Sequence, residues 1–178
     1  MNAQTPIVAG GHMLDFDAAS ARLNQWRGHM VENFARCEQA VTETLALLNA
    51  TGLIVQDGKG TKFPHLVGQR YDRLAALLSA PSQPSGHCKV ALSALERFRT
   101  HDTLRAMLCH GVAKIALDRA GQWVAVMTMV SFKASQTLID RLTLEEDEAG
   151  VRLGQLIDDR RRVSAALGQV RREISQLS

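Results

Sequence analysis

No apolar run approaches the ~18 residues that a membrane-spanning helix requires, so nothing in the chain reads as a helix that crosses a bilayer. Cysteine is scarce. Cys37, Cys88 and Cys109 are odd in number and lack metal spacing, which argues against a disulfide framework and for a reduced cytosolic compartment. No His-x3-His or Cys-x2-Cys pair occurs, and His12, His29, His65 and His87 are scattered, so neither metal nor cofactor is expected. A Ser-His-Asp set, a dinucleotide fingerprint and a helix-turn-helix signature are all missing. "GKGTK" has glycines and lysines but not the Gly-x4-Gly-Lys-Ser/Thr spacing, nor a clear preceding strand, which counts against a phosphate loop. The start, "MNAQTPIVAGGHM", lacks the basic residues and apolar core of a signal peptide. A cytoplasmic location without membrane attachment is the expectation.

What is present describes one globular domain. The 178 residues are 46% hydrophobic and 22% charged, enough to bury a real core. A net charge of +3 permits a phosphate-bearing partner without demanding one. Residues 1–14 are expected to be a flexible N-terminus and 15–178 a single domain.

Hydrophobic spacing predicts mainly helix: a bundle of about four helices with a β-hairpin inserted before the last long one. Asp15 or Asp17 offers an N-cap to the first helix. Leu23, Trp26, Met30, Phe34, Cys37, Val41, Leu45 and Leu48 follow at steps of three and four, and "NATG" ends the run. Pro64 suits the first turn of a second helix carrying Leu66, Arg70, Leu74, Leu77 and Leu78. A third helix is expected from about Cys88 to His110, stopped by Gly111. The period then changes to that of a strand, and a hairpin is predicted over roughly Val112 to Phe132, turning at Gly121. "TLEE" reads as a capping box, with Thr143 and Glu146, for a final helix from about Thr143 to Leu177. Its seam (Leu153, Leu156, Val163, Leu167, Val170, Ile174, Leu177) is interrupted only by Arg160. The pattern suits antiparallel packing against the first helix or against a second chain.

The chemistry concentrates in "RTHDTLRAMLCHG". On an unbroken helix Arg97, His101 and Arg105 would stack along one face, while His110 lies about 140° round from Arg105. One reading is a basic helix end in which His110 complements the helix dipole. The other is chemical. A histidine exchanges protons near neutral pH and an arginine forks onto phosphate oxygens, which suits attack of an RNA 2′-hydroxyl on its own phosphate without metal. Glu38, beside the Cys37 stripe, is a candidate partner for the Arg105 charge. Trp26 and Trp123 read as packing residues rather than base platforms, and "DDRRR" with Arg171 and Arg172 as a solvated face whose sign also suits RNA.

A helix ending in Arg-x4-His-Gly ("RAMLCHG"), then a small hairpin and a long last helix, resembles the HEPN superfamily (higher eukaryotes and prokaryotes nucleotide-binding domains). The resemblance implies a metal-independent endoribonuclease of toxin or defence type, a homodimer whose two motifs meet at the interface, and an RNA or nucleotide partner. It also implies an antitoxin protein as a further partner. Arg105 and His110 are the positions carried over as catalytic. Active members place a polar residue directly after the arginine. Here that residue is Ala106, and Asp102 and His101 are the candidate substitutes. The alternatives are a non-catalytic HEPN-like dimerisation or nucleotide- and partner-binding module, and an unrelated helical protein in which His110-Gly111 merely stops a helix.

Overall fold

The computed structural model describes residues 15–52, 64–80, 86–133 and 136–177. The first fourteen residues and the "GKGTK" segment lie outside these. The described chain is mainly helical: α1 (Phe16–Ala50), α2 (Val67–Leu78), α3 (Gly86–Arg99), α4 (Asp102–His110), β1 (Val112–Leu117), β2 (Trp123–Lys133), β3 (Gln136–Glu145) and α5 (Glu146–Leu177). Five helices and a three-stranded antiparallel sheet, ordered β1-β2-β3, replace the expected four helices and hairpin.

Asp15, not Asp17, caps α1, its carboxylate accepting the Ala18 N–H at 2.9 Å. The whole expected stripe from Leu23 to Leu48 is buried. Gly52, at φ +70°, takes the left-handed conformation that ends the run. Along α1 lies α5, but parallel rather than antiparallel. Trp26 Nε1 donates to the Ala149 carbonyl at 2.8 Å, Arg160 Nε to Asn33 Oδ1 at 3.3 Å, and Arg171 Nη1 to Thr44 Oγ1 at 3.0 Å. Both sequence numbers rise together along these contacts. The direction follows from the connection. α4 descends α1 towards its start, with Arg105 beside Glu38 and Arg27 beside the Leu108 carbonyl, and the meander and α5 begin at that end. Arg160, the break in the seam, is answered by the nearly buried Asn33.

The predicted third helix is two. Thr100 and His101 donate their backbone N–H groups three residues back, to Arg97 and Phe98, and the axis changes there. The cause is phase. At ~100° per residue, the mean direction of Leu104, Met107 and Leu108 would lie ~165° from that of Cys88, Ala91, Leu95 and Phe98 on a straight helix, yet both sets are buried. Gly111 ends α4 by close approach, since a Cβ there would run into the Met107 carbonyl.

The predicted hairpin is real as β1 and β2, with Gly121 at φ +80° in its turn and the Asp118 carboxylate accepting the Ala120 and Gln122 N–H groups. The third strand was not expected. Thr143 belongs to β3, and α5 opens at Glu146, whose carboxylate takes Arg22 at 2.6 Å and the Trp123 N–H at 3.1 Å. The "TLEE" capping box is therefore corrected: tertiary partners claim the glutamate. Trp123, Ala125, Met127 and Leu144 point inward, and the Trp123 ring packs against Trp26 at 5.9 Å.

Candidate functional site on the fourth helix and the sheet

α4 buries Leu104, Met107 and Leu108 and turns Asp102, Arg105, Ala106, Cys109 and His110 towards solvent or the edge of α1. Arg105 meets the expected partner, its Nε donating to Glu38 Oε1 at 2.7 Å with both side chains partly buried. Burial works against the guanidinium charge. The Glu38 hydrogen bond and charge outweigh it and hold the Arg105 pKa above its ordinary value. Beneath this pair lie the buried Cys37 thiol, which burial pushes up to about 12, and the Tyr71 ring. His110 is exposed and has no hydrogen-bond or ion-pair partner among the described residues. Arg105 and His110 are not brought together within one chain, because five helical residues rotate them about 140° apart. A base and an anion stabiliser must reach one phosphate within hydrogen-bond range, so a site using both needs a second subunit.

The helix break divides the other candidates. The expected stack of Arg97, His101 and Arg105 does not form: Arg105 turns to α1, while Arg97 and His101 turn to α5. There Asp159, 4% exposed, is the shared acceptor. Arg97 Nε reaches its Oδ1 at 2.7 Å, Arg162 Nη1 the same oxygen at 3.3 Å, and His101 Nε2 lies 3.1 Å from Oδ2. Asp102 is held by Arg99 at 3.4 Å, and Arg99 reaches Asp72 at 2.6 Å. Neither His101 nor Asp102 therefore supports Arg105. The "DDRRR" run contained the buried carboxylate, but burial of one member of a charged run leaves no mark on composition.

Sequence reasoning also missed the outer face of the sheet. Of the inward positions of β2, Trp123, Ala125 and Met127 are buried. The outward ones, Val124, Val126, Thr128, Val130 and Phe132, are apolar or nearly so and face no described helix. With Val112 on β1 and Ile139 on β3 they form one patch, in which Phe132 is 80% exposed, Val112 70%, Ile139 58% and Val130 57%. β1 pairs with β2 only as far as Val112↔Thr128, whereas β2 and β3 continue to Lys133↔Gln136 as a two-stranded ribbon. "WVAVMTMVSF" is apolar in both phases of the strand period, the signature of a strand covered on both sides. That signal was in the sequence.

Geometrically, then, the chain offers an arginine-glutamate pair, a free histidine at the adjoining helix end, and an apolar sheet face starting at Val112, two residues beyond it. No group of three or more metal-ligating side chains occurs among the described residues, and none of their helices is long and apolar enough to cross a membrane. No protein-family model, curated protein or solved structure matches the chain.

Proposed function

We propose that the chain is a self-associating interaction module in which two copies bind through the outer face of the sheet. The observation that carries this reading is the uncovered Val112–Val126–Val130–Phe132–Ile139 patch on strands patterned for burial on both sides. Its exposed apolar surface is on the order of 500 Å², most of the ~800 Å² per partner in a standard interface. A second copy is the fitting occupant because a two-fold contact uses the same patch twice. An axis along β2 would lay β1 of one copy over β3 of the other, with Lys114 at the level of Thr143, between Arg141 and Glu145. The long-helix stripes do not supply this interface, since α1 and α5 cover each other. In sedimentation velocity the wild type should be a dimer at micromolar concentration. Val130→Lys with Phe132→Lys should be a monomer that still melts cooperatively, because both side chains are exposed in the single chain. A wild-type monomer defeats the reading.

A second reading, the HEPN-like metal-independent ribonuclease, is favoured by the exposed, unpartnered His110 beside this face. Dimerisation there would put His110 of each copy at the rim of the interface, and for it to share an RNA phosphate with an Arg105 guanidinium that arginine must turn away from Glu38. Cleavage in EDTA should then yield 2′,3′-cyclic phosphate ends, disappear in His110→Ala and Arg105→Ala, and rise in Ala106→Asn. If wild type and Ala106→Asn both leave varied RNAs intact, the module reading stands alone.

A further inference from the structure

α3 and α5 lie antiparallel, His87 opposite Glu173 and Arg97 opposite Asp159. Between them runs an open groove of about 720 Å³. Its floor is made of small side chains, chiefly Ala94, Ala165 and Ala166, with Val90 half-exposed on its wall. Its basic side chains sit at the two ends. His87, which meets Glu173 at 3.4 Å, and Lys89 mark one, Arg97 and Arg162 the other. Ten residues separate His87 from Arg97, which on a helix is ~15 Å, or about three turns. No carboxylate lines the groove. The arginine end is prepared rather than loose: Arg97 and Arg162 share Asp159, each through one nitrogen, so their forks are held side by side with N–H groups to spare.

We propose that this groove docks an amphipathic acidic helix of a partner protein, with small or apolar residues on its inner face and carboxylates about three turns apart. Charge complementarity picks the sign of the partner, and the shape picks its form. Alanine on both helices, with Ser93 on α3, permits close approach of a third helix, the helix-in-groove mode of recognition. A trough open along its length would leave one side of a bound acyl chain in water, which disfavours a fatty acid. None of the outer-sheet residues takes part, so the proposal stands apart from self-association.

The test uses the full chain and a fluorescent, helix-stapled peptide with an Ala/Leu stripe and glutamates at its first and eleventh positions. Anisotropy should show saturable binding, and amide shifts in the ¹⁵N-labelled protein should concentrate on α3 and α5. Replacing the glutamates with lysine should weaken binding at least about tenfold. So should Lys89→Glu combined with Ala165→Glu, two exposed positions outside the core. The lysine peptide needs no protein variant, so the test survives a variant that fails to fold. Equal binding of the two peptides, or no binding at millimolar peptide, overturns the proposal. Dodecanoate shifting the same amides when the acidic peptide does not would overturn it in favour of a lipid. Groove amides that shift with protein concentration alone would assign the groove to a second copy, and overturn it too.

Discussion

Glu38 and Asp159 show how one residue type acquires a role from what packs around it. Glu38 neutralises one guanidinium at a partly open edge; Asp159, almost fully buried, collects two arginines and a histidine from α3, the α3–α4 junction and α5. Burying a carboxylate is costly unless it is paired and hydrogen-bonded, and Asp159 is both. Glu146 is a third case, with a pH consequence. The Arg22 hydrogen bond, against a smaller opposing effect of burial and with help from the Trp123 N–H, holds its pKa below the ordinary 4.5. A carboxylate depressed in the folded state adds stability above its unfolded pKa and loses it as pH falls through the folded value. Glu146→Gln should therefore lower the urea midpoint at pH 7 by the equivalent of about 0.5–1 kcal/mol, a modest figure because Arg22 is largely exposed. The gap should narrow as pH falls below 4.5 and through the lowered folded pKa. A gap that persists there would assign the effect to shape rather than charge.

At the scale of the element, the pairing of α1 with α5 is pinned by polar residues at chosen levels. Asn33→Leu alone should cost about 1–2 kcal/mol by stripping Arg160 of its acceptor. Adding Arg160→Leu should recover most of that, since an apolar pair fills the seam without an orphaned donor. A double-mutant cycle in urea reads the coupling, and strict additivity would show that the two do not cooperate. Much of this level was legible in the sequence. The α1 stripe, its cap at Asp15 and the change of period after Gly111 are local signals, and local physics enforces them. The α3–α4 break was legible too, because Leu104 and Leu108 are out of phase with Leu95 and Phe98. A single long helix ignores that rotation. The parallel run of α5 and the third strand were not legible in the same way. Direction depends on where α4 delivers the chain, and "QTLIDRLTLE" pairs only because β2 offers an open edge. Of the site, the Arg105–Glu38 contact was foreseeable from charge and position. The capture of His101 by Asp159 required the fold.

At the scale of the molecule, helices bury Trp123, Ala125, Met127 and Leu144 on one side of the sheet, while the other side exposes Val126, Val130, Phe132, Val112 and Ile139 between Lys114, Arg141 and Glu145. Sheets of this kind are completed by another surface, because an exposed face rich in valine invites association in any case. The proposed completion by a second copy would account for the ribbon, the two-phase apolar strand and the histidine at the patch border. Cross-linking places the contact more directly than mass alone. In a Cys109→Ser background, which removes the exposed native thiol, Val130→Cys on the outer sheet face should join two copies through a short bis-maleimide. Val90→Cys, equally exposed on α3 but away from the sheet, should stay monomeric on a denaturing gel. Efficient linkage at position 130 with none at 90 is the expected result. Linkage at 90 and none at 130, in a protein that sediments as a dimer, would contradict assembly through the sheet.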